Sequence, residues 1–333
     1  MKNMAAMSLA VIQQLAESKP RLSRDVILAA VADEEAGSTL GSRFLVDHHP
    51  ELVRAEFGLG EVGGFTLHIL GRRFYPIMVA EKGACRVRVR TRGAPGHGSM
   101  PHPETAITKL GRALERLGSR RLPQHVTPTL LEWFRCVGRE LPLPARLLLH
   151  SLRLPLVGQT VLTPLSGRHG LARSLAAVLS NTAAPTLLRG GEVINVLPAV
   201  AEADLDCRTL PGEPGERLMA ELRTHLGAGV ELELLESWPA VSVPASGPLW
   251  DAIVAEVRRA DPGAVPVPYM IPGFTDAKEY SRLGTRFHGF APVALPAEIS
   301  FAQLFHGVDE RIPEEGFLWG TRLLRDVVCR FAG

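Results

Sequence analysis

The chain has 333 residues, 46% hydrophobic and 22% charged, a composition typical of a globular protein long enough for two domains. Its formal net charge is only +2, and the basic residues are scattered rather than clustered, so nucleic acid is not an expected partner. The four cysteines lie far apart without a C-x-x-C pair, which favours reduced thiols in the cytoplasm over disulfides or a zinc–thiolate site.

The first predicted elements are a helix, a strand and a second helix. Residues 4–18 predict an amphipathic helix rather than a signal peptide, because no small-residue cleavage site follows the apolar stretch. Seven apolar residues at 26–32 then predict a buried strand, and a helix follows near 38–48. No apolar run approaches the roughly 20 residues that cross a bilayer, so no membrane partner is expected.

Acidic residues follow two of the predicted strands. Asp33, Glu34 and Glu35 come directly after the apolar run, and Glu61 stands among glycines in residues 57–65, which predict a second strand end. Ligand crevices lie beyond the carboxyl ends of strands in open α/β sheets, and adjacent carboxylates repel unless a cation or a shared proton compensates. These positions therefore predict a metal site, with a solvated acidic turn and an ordinary glycine-rich turn as the alternatives.

The middle of the chain changes in character. Residues 85–92 alternate apolar with basic side chains, which is typical of a strand with one solvated face. A helix at 103–118, strands at 183–189 and 200–208, a helix at 213–226 and a strand at 230–236 then predict a small α+β sandwich over 84–240, inserted between the two halves, 1–83 and 241–333, of an α/β domain. The leucine- and proline-rich stretch 121–180 reads as helical packing in a lid, with a membrane or partner face as the alternative.

The last stretch returns to an α/β pattern. A helix begins near Gly273-Phe274-Thr275-Asp276, and His306 lies in a polar loop before a helix at 314–331. His306 is a third candidate ligand, and a surface histidine is the alternative.

Six motifs appear in a fixed order and together resemble metallopeptidase family twenty, most closely its carboxypeptidase S-like branch. They are Asp33-Glu34-Glu35-Ala36-Gly37, Gly60-Glu61, Gly96-His97-Gly98-Ser99-Met100-Pro101, Asp206-Cys207-Arg208-Thr209-Leu210-Pro211-Gly212, Gly273-Phe274-Thr275-Asp276 and His306-Gly307-Val308-Asp309-Glu310. The resemblance implies a doubly wound α/β catalytic domain with an inserted α+β dimerisation domain that acts as a lid. It also implies a zinc-dependent hydrolase of amide bonds in peptides or N-acyl amino acids with a free carboxylate.

The resemblance also implies roles for particular residues. Glu34 would be the general base, while Glu35, Glu61 and His306 would bind zinc, two ions per subunit, with cobalt or manganese as possible substitutes. His97 would stabilise the oxyanion in the partner subunit's site, so activity would need a homodimer. Arg208 would clamp the substrate carboxylate, although a strand-end ion pair is its alternative, and Asn195, Gly273 and Thr275 would contact substrate.

The start of the chain departs from the family pattern. Relatives carry a further segment with a His-x-Asp motif, which supplies one zinc ligand, and an aspartate that bridges both metals, just before a segment like Met1-Lys2-Asn3-Met4. We therefore expect an N-terminally truncated catalytic domain. Two hypotheses remain: an active amide hydrolase, or a catalytically impaired fragment that keeps the fold and the dimerisation domain.

Overall fold

A computed structural model describes residues 2–166, 170–213, 215–301, 304 and 309–333. The helices are α1 (Lys2–Ser18), α2 (Ser42–His48), α3 (Pro50–Val53), α4 (Ala106–Ser119), α5 (Pro128–Glu140), α6 (Leu143–Ser151), α7 (Pro155–Ser166), α8 (Gly170–Val178), α9 (Gly215–Leu226), α10 (Pro248–Ala260), α11 (Ala277–Tyr280) and α12 (Glu314–Ala332). The strands are β1 (Phe57–Gly60), β2 (Leu67–Ile69), β3 (Arg72–Glu81), β4 (Gly83–Arg92), β5 (Gly96–His97), β6 (Thr182–Gly190), β7 (Val196–Leu197), β8 (Val200–Thr209), β9 (Val230–Trp238), β10 (Val241–Ser242), β11 (Ala264–Ile271) and β12 (Arg286–Gly289). None of the described helices is both long and apolar enough to cross a membrane.

The first compact unit comprises Met1–Glu81, Pro128–His150 and Val241–Gly333. Its mixed sheet runs in the order β1-β12-β3-β10, and β2 and β11 also pair with β3. β3 is the central strand, and eight of its residues are buried, because helices α1, α10 and α12 cover one face of the sheet while α5 packs on β3 and β11. The matching apolar runs of β3 and β11 therefore form a core strand pair.

The predicted strand at 26–32 is wrong for the described chain. These residues are irregular and mostly exposed, Ile27 to 53%, and no backbone ladder joins them to another described segment. An apolar run of this kind predicts a buried strand, but a strand needs a neighbour that satisfies its N–H and C=O groups. Strand β1 pairs with β12 on one edge, and its other edge has no partner among the described strands.

The second compact unit comprises Lys82–Thr127 and Ser151–Ala240. Its antiparallel sheet has the order β6-β8-β4-β9, and α4 and α9 pack on one face over a core that includes Val87, Val89 and Leu205. The opposite face carries ion pairs between strands, such as Arg88 to Asp204 at 2.8 Å and Arg92 to Glu231 at 2.7 Å. The prediction of a β4 strand with one solvated face is confirmed.

The two units differ from the predicted division by two residues at the first boundary and in one internal segment. The chain passes from the first unit to the second between Glu81 and Lys82 and returns between Ala240 and Val241. However, Pro128–His150, within the predicted insertion, groups with the first unit because the buried face of α5 packs on β3 and β11.

Candidate active site

Glu34 and Glu35 lie on a 3-10 turn rather than at the end of a paired strand. The turn covers Glu34–Ala36 and follows Asp33, whose φ of 72° places it in the left-handed region. The Asp33 carboxylate accepts a hydrogen bond from the backbone N–H of Leu40 at 2.9 Å, which holds this conformation. Glu34 is half-buried and Glu35 is exposed, so the two neighbouring carboxylates have different surroundings.

Glu61 follows β1, and its backbone passes very close to the backbone of Gly289 at the end of β12. A Cβ added at Gly289 would lie 2.4 Å from the carbonyl oxygen of Glu61, so only glycine allows this approach. The next residue, Val62, has a φ of 61°, which is strained for a β-branched side chain. Strained backbone beside both acidic candidates is a feature of functional sites, where the surrounding structure holds side chains in set positions.

The carboxylates of the two acidic segments influence one another electrostatically. Burial and, after it, the negative charges of Glu34, Asp276 and Glu35 together raise the pKa of Glu61 to about 7. Carboxylate oxygens that repel one another match the donor chemistry of a divalent cation. Within the described ranges, however, no three His, Cys, Asp or Glu side chains are arranged to hold a metal ion, and His306 lies outside the described residues.

A buried polar network supports the loop that contains Gly273 and Thr275. Thr275 donates from its backbone N–H and from its hydroxyl to Oε2 of Glu81, at 2.9 and 2.8 Å. Lys278 donates to the hydroxyl of Ser38 at 2.8 Å, and Ser38 donates to Asp276 at 2.9 Å. The network therefore links the end of β3, the loop after β11 and the segment that follows Glu35.

Glu81 is one of the members of this network, with Ser38 and Lys278, that sequence reasoning missed. Its side chain is fully buried, and its Oε1 has no hydrogen-bond partner among the described residues. Burial raises the pKa of Glu81 to about 8, against the lowering effect of the Thr275 hydrogen bonds. The signal was present, because Glu81 directly follows the apolar run of β3, as Asp33 follows the run at 26–32.

The predicted site residues of the second unit fall in two places. His97 on β5 pairs with Val196 on β7, and the N–H of Gly98 donates to the carbonyl of Asn195 at 2.8 Å, so His97 and Asn195 are neighbours. The His97 ring is exposed, and its Nδ1 lies 2.7 Å from the hydroxyl of Ser99. Arg208, at the end of β8, donates two hydrogen bonds to Asp206, at 2.7 and 2.9 Å. This is the strand-end ion pair that the sequence offered as the alternative to substrate binding.

Comparison with known proteins identifies the relationships of the chain. Residues 79–231 match a peptidase dimerisation domain of the M20 type, and residues 3–59 match peptidase family M28. The chain resembles the M20 peptidases. The predicted family resemblance and mixed α/β fold class with a dimerisation domain are thereby confirmed.

The chain is similar to two curated proteins and one solved structure of this kind. It is 26% identical to probable carboxypeptidase S-like 2 of Dictyostelium discoideum, over 87% of this chain and 56% of that protein. It is 25% identical to the human N-fatty-acyl-amino acid synthase/hydrolase PM20D1, over 92% of this chain and 61% of that protein. The M20 metallo-carboxypeptidase Sso-CP2 of Sulfolobus solfataricus has the same fold, with a TM-score of 0.63 at 16% identity, over 99% of this chain and 75% of that one. The chain thus spans about three-fifths of the length of these two curated relatives.

Proposed function

We propose that the chain hydrolyses amide bonds in peptides or N-acyl amino acids that carry a free carboxylate, and that it depends on a divalent metal. The observation that carries the proposal is the group of mutually repelling carboxylates around Glu61, held by strained backbone beside a buried polar network. The names of the relatives, a carboxypeptidase S-like protein and an N-fatty-acyl-amino acid synthase/hydrolase, support this class of substrate.

Four residues of the chain would bind the metal and transfer the proton. Glu35 and Glu61, together with His306, would hold zinc, or cobalt or manganese in its place. A bound ion would polarise the carbonyl and make water more acidic. Glu34 would take a proton from the attacking water and return it to the leaving amine, a role that suits a carboxylate at the edge of a partly buried site.

Four further residues would contact the substrate. Arg208 would bind the free carboxylate once it exchanges Asp206 for the substrate, since a guanidinium binds either carboxylate with two hydrogen bonds. Asn195 and Gly273 would contact the substrate. Both donors of Thr275 point to Glu81, so Thr275 would act by fixing the Gly273 loop as well as by contact.

Replacement of the proposed base tests this function. Glu34→Gln should reduce kcat at least about a hundredfold, because general-base catalysis contributes on that scale, while metal content measured by atomic absorption stays unchanged. Glu17→Gln on α1, outside the site, is the matched control. Persistent turnover in Glu34→Gln would exclude Glu34 as the base, and wild-type chain with neither bound metal nor turnover would favour the catalytically impaired alternative.

We also propose that the chain forms a homodimer through the edge of the second unit's sheet. Strand β6 lies at that edge, and Leu188 on it is 68% exposed, while Ile194 beside the β5–β7 ribbon is fully exposed. An apolar edge strand is a template for pairing with a second copy. His97 lies on this ribbon and would then stabilise the oxyanion in the partner's site.

The oligomeric state tests the dimer. Leu188→Glu should shift the mass measured by light scattering from dimer to monomer and lower kcat if His97 acts across the interface. Leu234→Glu, 45% exposed on the opposite edge strand β9, should leave the dimer intact. A wild-type monomer with full activity would contradict the proposal.

A further inference from the structure

Helices α5 and α6 form an outer helical layer of the first unit. The buried face of α5, with Trp133, Phe134 and Val137, packs on β11 and β3. Helix α6 crosses α5 closely at Gly138, where an added Cβ would lie 2.7 Å from Nε2 of His150. The core is therefore completed by α5, and α6 lies outside it.

Helix α6 presents leucines to solvent. None of its residues is buried, and Leu143, Leu147 and Leu148 are exposed, Leu147 to 62%. Ala145 and Leu149, which are half-buried, lie on the other side of the helix. We call Leu143, Leu147 and Leu148 the leucine face. Neighbouring exposed leucines are unfavourable in water, and contiguous exposed apolar groups are a feature of interaction surfaces.

The segment that carries the leucine face has a positive net charge. Residues 141–180 contain no aspartate or glutamate at all, and Arg139 and Arg146 are both exposed on the adjacent helices α5 and α6. The two acidic residues of α5 are already paired, Glu132 with Arg135 and Glu140 with Arg72. Helix α6 therefore carries an exposed arginine and no acidic residue beside the leucine face, and a second exposed arginine stands near the end of α5.

We propose that α6 docks the protein on an anionic lipid surface, with the leucine face among the acyl chains and Arg139 and Arg146 at the headgroups. Helices that lie in the plane of a membrane interface combine these two features and need no membrane-spanning length. A second copy fits less well, because a two-fold contact would bring the same arginines face to face. The expectation of no membrane partner rested on the absence of a long apolar run, which an interfacial helix does not require.

Vesicle sedimentation of the full chain tests the proposal. The protein should pellet with phosphatidylcholine vesicles that contain phosphatidylglycerol, and less with pure phosphatidylcholine or at high salt. Leu147→Glu should weaken partitioning roughly tenfold or more, since it removes a leucine from the buried set and adds a charge of the wrong sign. Leu52→Glu, with 59% exposure in the same unit but on α3, is the matched control and should bind as the wild type does.

Further variants distinguish binding to an anionic lipid surface from binding to a second copy of the chain. Arg139→Glu with Arg146→Glu should remove the preference for anionic vesicles, and unchanged thermal unfolding would show that the exposed substitutions leave the fold intact. Equal pelleting with neutral and anionic vesicles, or wild-type binding by Leu147→Glu, would overturn the proposal. If the wild type does not bind vesicles, and Leu147→Glu dissociates a dimer, the proposal is overturned. The leucine face would then bind a second copy of the chain.

Discussion

Glu81→Gln should change how the stability of the first unit depends on pH. The folded chain holds the Glu81 proton until about pH 8, whereas the same carboxyl in the unfolded chain releases it near 4.5. Between these values the unfolded state binds fewer protons than the folded state, so the free energy of unfolding falls as pH rises. Glutamine keeps a carbonyl oxygen for the two Thr275 donors but has no proton to release.

The size of the effect follows from the shift. The difference between 8 and 4.5 is 3.5 units. Each pKa unit corresponds to about 1.4 kcal/mol, so from about pH 5 to about pH 8 the wild type should lose about 3 kcal/mol relative to Glu81→Gln. The Glu81 side chain is fully buried, so solvent screening does not reduce this value.

The measurement is urea unfolding followed by tryptophan fluorescence across this pH range. Three of the four tryptophans lie in the first unit, and a Trp238→Phe background in both proteins restricts the signal to that unit. Parallel curves of unfolding free energy against pH for wild type and Glu81→Gln would refute the reasoning, because they would show that Glu81 titrates alike in the folded and unfolded chains.

Two further predictions concern buried bases. Burial lowers the pKa of Lys82 to about 7, so wild-type stability should fall as pH decreases from 10.5 towards 7. Lys82→Met loses the hydrogen bonds to the carbonyls of Ala177 and Ser180 and should be less stable near pH 10, but the deficit should shrink by about 3 kcal/mol by pH 7, as measured by urea unfolding. A deficit that stayed constant would show that Lys82 remains charged in the fold. Burial lowers the pKa of His288 to about 4, so stability should fall as pH decreases from 6.5 towards 4. His288→Leu should therefore gain about 2 kcal/mol over wild type at about pH 5 and little above pH 7, and thermal unfolding at both pH values checks this.

Local patterns in the sequence determined most of the elements of the second unit. The alternation at 85–92 predicted β4 and its solvated face, and the helices predicted at 103–118 and 213–226 are observed as α4 and α9. These features follow from side-chain periods of 2 and 3.6 residues, which a short window of sequence already contains. The acidic positions Glu34 and Glu61 were found in the same way, from charges placed directly after apolar runs or among glycines.

Tertiary structure decided what depends on residues far apart in the chain. Whether 26–32 becomes a strand depends on a neighbour that supplies hydrogen bonds, which the apolar pattern does not report. The bonds from Thr275 to Glu81 join positions 194 residues apart. The sequence thus determined which residues carry charge and where strands and helices can form. Only the fold decided which of those charges are buried together, and burial is what shifts the pKa values of Glu61 and Glu81.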